Sequence, residues 1–357
     1  MLRSTDLLWK VHITIMNISE GRNVMKKGIA VAGNMLVDTI YQIEHYPRPG
    51  ELAIMDDSIT KATGGAVCNV IVDLARLDGT LPLTALGVIG DDSDGRYIED
   101  TLSGYGNIDL AQIAHEGTTS FTAVMGDNAS KQRTFFHYKG ANARFSEKHI
   151  DLDRLDSDIF HIGYILILDE LDKPDDVFGT KMARLLASVK LKGIKTSVDL
   201  VSDAEYRYKM IVPPALKYTD YCIINEIEAE RTTGIALRDN IGIIEENMTS
   251  ALTAIKDMGV STWVIIHAPE GGYGIDCGTG DIIKKKSLCL PEEYIKGTTG
   301  AGDAFCSGVL YAAYMEKPLP EAIELGIACA ACSLSEPGAT DGMRCHNDVI
   351  KLYQQMK

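Results

Sequence analysis

From residue 28 onward the chain alternates short β-type runs with amphipathic helical stretches, and few folds accept that rhythm. GIAVAG (28–33) precedes a helical stretch at about 66–78, and LTALGVI (83–89) precedes another near 94–105. The pattern resumes with DIFHIGYILI (158–167), a helix over about 175–191, KTSVDL (195–200), DYCIIN (220–225), two helices, STWVIIH (261–267) and two or three terminal helices. Strands separated by helices need crossover connections, so the order predicts an α/β fold with a mostly parallel central sheet and helices on both of its faces.

Two stretches interrupt the alternation, residues 39–61 and 118–138; in the second, FTAVM and QRTFFHY flank a GDNAS turn. Neither carries a helix-sized apolar stripe, so both read as β-rich, either as surface hairpins or as a small lid over the carboxyl ends of the parallel strands. The motifs below favour the lid. The expected division is therefore 28–38, 62–117 and 139–357 for the α/β unit, with 39–61 and 118–138 for the lid. Residues 1–27 read as an N-terminal extension in which Met16 and Met25 offer alternative starts.

With 357 residues and 45% hydrophobic content the chain can bury a large core. Its 35 Lys and Arg against 50 Asp and Glu leave a net charge of −15, which repels a phosphate polymer and argues against nucleic acid as partner. A local anion site is still open to it at a helix N-terminus. The eight cysteines lack the spacing of a disulfide framework, and Cys329 and Cys332 sit in the apolar run AIELGIACAACSL, so they read as reduced core thiols. No apolar stretch reaches the roughly 20 residues of a membrane span. The expectation is a cytoplasmic protein with no membrane partner.

The chemistry concentrates in four places. GTTGAGDAFCSGVLYAAY (297–314) is a glycine-rich turn running straight into a small-residue helix. Gly300, Ala301 and Gly302 can aim backbone N–H groups and the positive helix end at a transferring phosphoryl group, with Asp303 at the helix start. In TGGAVCNVIVDLARLDG (63–79), Gly64 and Gly65 open a helix and allow close approach to the backbone, while Asn69 offers a donor and an acceptor to a hydroxyl. Asp38 follows the first strand, where a carboxylate can accept bonds from two vicinal hydroxyls. NEIE (225–228) places Asn225 and Glu228 on one face of a first helical turn; this is a capping box in its plainest reading, and it also suits a water-bridged Mg²⁺.

The segments GGAVCNVIVDLARLDG and TTGAGDAFCSG resemble the two signature regions of the ribokinase-like (PfkB) carbohydrate kinases, and the alternation from about 28 to 357 is similar to that family throughout. The resemblance implies a ribokinase-like fold, ATP and Mg²⁺ as cofactors, and transfer of the γ-phosphate to a hydroxyl of a small sugar or polyol. It implies Asp303 as general base and Gly300 to Gly302 as anion hole. It further implies Asp38, Gly64, Gly65 and Asn142, with Asn69, as substrate contacts, Asn225 and Glu228 near Mg²⁺ and phosphate, and Gly272 near the nucleotide. A homodimer joined through the lid is also implied. The chain departs from the family at Gly297, where Asp is usual, and at Pro269, where Gly is usual.

Other readings are weaker. A nicotinamide oxidoreductase would carry G-x-G-x-x-G after its first strand, and a Walker-type NTPase would carry a Gly-Lys pair; this sequence has neither. A nucleoside kinase of the same family and a non-catalytic sugar-sensing homologue stay open as alternatives, and retention of Asp303 argues against the latter.

Overall fold

The computed structural model describes residues 26–130, 132–201 and 205–357, so the extension expected over 1–27 lies outside the described residues apart from Lys26 and Lys27. The central sheet contains β1 (Ile29–Gly33), β4 (Leu83–Ile89), β5 (Ile108–His115), β8 (Ile159–Ile165), β11 (Lys195–Leu200), β12 (Tyr221–Asn225), β13 (Trp263–Ala268), β14 (Gly271–Asp276) and β15 (Ile282–Lys286). Their order across the sheet is β15-β14-β13-β12-β11-β8-β1-β4-β5. All pairs from β5 to β13 are parallel, and β14 and β15 return antiparallel at one edge. Every residue of β1 is buried, as expected of a strand covered on both faces.

Two apolar layers enclose the sheet. On one face pack α1 (Gly65–Leu77), α7 (Ala301–Tyr314), α8 (Leu319–Ser333) and α9 (His346–Met356), with Val67, Leu74, Phe305, Leu310 and Ile323 in the core. On the other lie α3 (Lys181–Leu191), α4 (Glu205–Leu216), α5 (Glu226–Thr233) and α6 (Glu245–Asp257), contributing Leu185, Tyr208, Ala229 and Leu252. Helix α2 (Ser93–Ser103) opens on Asp92, whose carboxylate accepts from the Gly95 N–H. Cys329 and Cys332 are buried in α8, and all eight cysteines are free.

The helix expected from about 175 begins later. Residues Pro174–Asp175 (β9) and Gly179–Thr180 (β10) form a small hairpin in which Asp175 accepts from the N–H groups of Val177 and Phe178 at 2.9 and 2.8 Å. Thr180 then caps α3, accepting from Ala183 N–H at 3.1 Å.

A second sheet, ordered β3-β2-β6-β7, is built from β2 (Leu36–Ile43), β3 (Thr60–Gly64), β6 (Ser120–Asp127) and β7 (Arg133–Tyr138). Strand β2 already starts at Leu36, so Asp38 lies within this sheet, opposite Ala62 and Thr122, and not in a loop after β1. The sheet reaches the main body at the start of α7, where Arg133 Nη1 donates to Thr299 Oγ1 at 3.0 Å. Among the described residues no helix is long and apolar enough to cross a membrane.

Candidate active site

Helix α7 begins with an uncapped first turn. Gly300 is its N-cap at φ +79 and provides no side chain, so the first-turn amides have no side-chain partner and point outward. Glycine is required there twice over: the backbone is left-handed, and a Cβ would fall 2.3 Å from Ala339 O. Three positions into the helix, Asp303 is 5% exposed. Its Oδ2 accepts from Asn69 Nδ2 at 2.8 Å, and the Tyr164 hydroxyl donates across both carboxylate oxygens at 3.0 Å. Burial pushes the Asp303 carboxyl up to about 6, against the lowering effect of those hydrogen bonds.

Asn69 comes from α1, which starts at the β3–α1 junction formed by Gly64 and Gly65. Gly65 is left-handed at φ +87, and a Cβ on Gly64 would sit 2.4 Å from Asp38 Oδ2. This pair therefore lets the Asp38 carboxylate lie against the backbone that opens α1. Asp38 is held above its usual range by burial, which outweighs the Thr122 hydroxyl bonded to it. Asn69 Oδ1 is buried with no partner in the protein, as an atom awaiting a hydroxyl would be. Asp38, Gly64 and Gly65 thus meet at the start of α1, and Asn69, further along the same helix, reaches Asp303. Asn142 is not: its amide accepts from Met35 N–H at 3.0 Å and donates to Met35 O at 2.9 Å, bracing the β1–β2 turn from a buried position.

Two cavities meet at the start of α7. A polar one of about 260 Å³ is walled by Tyr164, Asp199, Glu228 and Asp303. A larger, mainly apolar cleft of about 790 Å³ is lined by Ile227, Pro269, Leu288, Leu290, Ile295 and Ala330 among others. Asn225, His267 and Gly302 line both. The larger volume is within the range of ligand pockets, with an apolar wall suited to a flat base and a polar end suited to phosphates. Gly272 does not face it: a Cβ there would strike Ile323 Cγ2 at 2.5 Å, and the lining residue is its neighbour Gly271, one step along a strand whose side chains alternate.

The polar cavity concentrates negative charge. Asp199, at the end of β11, is held far above the usual carboxylate range by burial and by the charges of Glu228 and Asp303. Glu228 is buried and Oε2 accepts from Asn225 N–H at 3.0 Å, while Asn225 Oδ1 accepts from Glu228 N–H at 2.9 Å. Asp199, Glu228 and Asn225 form an oxygen-rich wall that fits a hard divalent cation keeping water and phosphate in its remaining positions. No group of three or more protein ligands among the described residues forms a closed metal cage. His267 packs against Phe305 with ring centroids 4.8 Å apart and planes tilted by 30°, and burial holds its imidazole down at about 4.

Three of these residues escape a reading of the sequence alone. Asp199 carries a signal, since it is an acid in the penultimate position of a parallel strand, where α/β sites gather. Tyr164 and His267 sit at equivalent strand ends inside apolar runs, where an aromatic residue reads as core.

The open helix end of α7 and the buried Asp303 carboxylate thus lie together at the carboxyl ends of the parallel strands, where α/β sheets bind their ligands. The model of the pfkB family of carbohydrate kinases matches residues 26–344, and the chain belongs to that family. A ribokinase from Haemophilus influenzae is 25% identical over 333 residues, covering 92% of this chain and 99% of the relative. A probable fructokinase-7 from Arabidopsis thaliana is 27% identical over 327 residues, covering 87% and 88%. The solved ribokinase of Arabidopsis thaliana, complexed with ribose and ATP, superposes with a TM-score of 0.75 at 22% identity, covering 92% of this chain and 99% of that one.

Proposed function

We propose that this carbohydrate kinase transfers the γ-phosphoryl group of ATP to a hydroxyl of a small sugar or polyol, with Asp303 as general base and the Gly300–Gly302 turn as anion hole. One observation carries the reading: the uncapped first turn of α7 and the buried Asp303 carboxylate belong to the same helical turn, so the electrophile and the base are positioned by one rigid element. A base at about 6 is mostly ionised at neutral pH and still basic enough to take a hydroxyl proton as the oxygen attacks. Asp38 and Asn69 orient the acceptor from the second sheet and α1. Asn225, Glu228 and Asp199 would hold Mg²⁺, probed best by its known preference for water and phosphate oxygens; bound there, it would neutralise phosphate charge. The amides of Gly302 and Asp303 face the transferring group in a site from which the second sheet excludes water.

The second sheet is read as a lid, supported by the Arg133 to Thr299 bond that ties it to the anion-hole turn. Its edge strand β7 leaves Phe135 and Phe136 more than half exposed, a surface that a second copy would cover, which is the basis for proposing a homodimer. Eight free cysteines suit a cytoplasmic location. The test is a turnover assay with ATP, Mg²⁺ and a panel of pentoses, hexoses, cyclitols, sugar acids and nucleosides. Phosphorylation of a sugar or polyol supports the proposal, exclusive use of a nucleoside favours the nucleoside-kinase reading, and no transfer to any class favours the sensor.

A further inference from the structure

Strand β8 ends in an unusual turn. Tyr164 and Leu166, neither of them glycine, have φ values of +61 and +93. Left-handed backbone at non-glycine residues persists where the surroundings impose it and gathers at functional sites. Here Asp172 accepts from the Leu166 N–H at 3.3 Å and pairs with Arg207 at 3.0 Å, while Arg207 also donates to Leu166 O. The product of this turn is the placement of one phenol. Tyr164 lines the polar cavity, and its hydroxyl bridges both oxygens of Asp303.

That bridge conflicts with the base's task. With Asn69 on Oδ2 and the phenol across Oδ1 and Oδ2, three of the roughly four acceptor positions of the carboxylate are taken, so an acceptor hydroxyl has to compete with the phenol for Asp303. Resting on the reading of Asp303 as base, we propose that Tyr164 is a displaceable cap: it occupies the base until an acceptor arrives, and so withholds it from water. In the unwanted reaction the water oxygen bonds to the γ-phosphorus, the bond to the ADP oxygen breaks, and the water proton passes to Asp303. The cap suppresses that step by denying the proton its destination. Asp199, Glu228 and His267, which line the same cavity, and Asp303 itself are the titratable groups around the phenol, with Asp73 on α1 acting on Asp303 from behind, and each is retained when only the hydroxyl is removed.

The test uses the full chain with Mg²⁺ and ATP and no acceptor, comparing parent, Tyr164→Phe, Tyr164→Asn, Asp303→Asn and the double variant Tyr164→Phe/Asp303→Asn. The asparagine variant tolerates left-handed backbone and guards against misfolding of the first. Phosphate release in Tyr164→Phe or Tyr164→Asn should rise about tenfold or more over the parent and fall back in the double variant. With D-fructose and D-ribose as probes, the acid limb of kcat/KM should move to higher pH in Tyr164→Phe, because the free enzyme loses a bond that stabilises the carboxylate. The limb of kcat should stay, because the phenol has left the complex. Phosphate release at the parent level in both single variants, or equal movement of both limbs, overturns the cap. If Asp303→Asn transfers phosphate to a probe within about tenfold of the parent, the base reading itself has failed, whatever Tyr164 does.

Discussion

Replacing Asp303 with Asn should stabilise the protein while nearly abolishing its activity. The carboxyl is 5% exposed and moves from the usual 3.8 to about 6 on folding, chiefly through burial. Below pH 3.8 both states hold the proton and the group contributes nothing. Between 3.8 and about 6 the unfolded chain has released its proton and the folded chain has not, so stability falls as pH rises, and above 6 the whole penalty is present. At 1.36 kcal/mol per tenfold change in proton affinity, that penalty is about 3 kcal/mol. Asn carries no charge to desolvate, and its side-chain oxygen can still accept from Asn69 or Tyr164. Urea unfolding at pH 8 should therefore show Asp303→Asn more stable by about 2–3 kcal/mol, with the difference vanishing near pH 4. In the same preparation kcat should fall about 10²- to 10⁴-fold with the KM for ATP little changed. Equal stability of the two proteins at pH 8 would refute the burial argument. A loss of less than about tenfold in kcat would refute the role as base.

Gly64→Ala places a methyl 2.4 Å from Asp38 Oδ2, so the KM for the acceptor should rise about tenfold or more while the KM for ATP holds; a parallel rise in both would place Gly64 outside the acceptor site. Glu228→Gln removes one of the charges crowding Asp199, and the Mg²⁺ concentration for half-maximal rate should rise about tenfold; an unchanged Mg²⁺ titration would remove Glu228 from the metal's surroundings. A monovalent cation beside the anion hole should matter little, because the carboxylate usual at position 297 is missing and Gly297 packs against Pro337, whose Cα would lie 2.8 Å from a Cβ there. A charge about 3 Å from a cation is worth roughly 5 kcal/mol at an effective dielectric of 20, so its loss weakens binding strongly. Steady-state rates in KCl and in tetramethylammonium chloride should agree, and a saturable rise of more than about fivefold with K⁺ would show that a site survives without that carboxylate.

The strands of the main sheet were legible because parallel strands buried on both faces read as short apolar runs: KTSVDL is β11 without a residue's difference, and LTALGVI is β4. Glycine turns marked the starts of α1 and α7 for the same local reason, since Gly65 and Gly300 adopt conformations that other residues avoid. Contacts made across the fold left no such trace. Asn142 looked free to meet a sugar because nothing in its neighbourhood in sequence shows that Met35, 107 positions away, takes both ends of its amide. Gly272 and Gly271 are indistinguishable in a run of glycines until the strand's facing is known. Asp38 read only as a residue following the first strand, because β2 is half-buried along most of its length and lacks the continuous apolar run by which the core strands are recognised.

Glu228 and Asp303 illustrate how one local pattern serves two ends. Each is the third residue of its helix, α5 or α7, and both helices start at the carboxyl end of the sheet around the same cavity. At α5 the N-cap is Asn225, whose side chain closes the reciprocal box with Glu228, so that end of the helix satisfies itself and the acid becomes a fixed wall. At α7 the N-cap is Gly300, the box cannot form, the first-turn amides have no side-chain partner, and the acid turns instead to Asn69 and Tyr164. A side chain able to close that box is excluded by Ala339 O, 2.3 Å from where its Cβ would stand, so packing from a distant loop keeps the helix end open. The difference between these two helix ends is thus set by the residue three places before each acid, and by what the fold lays against it.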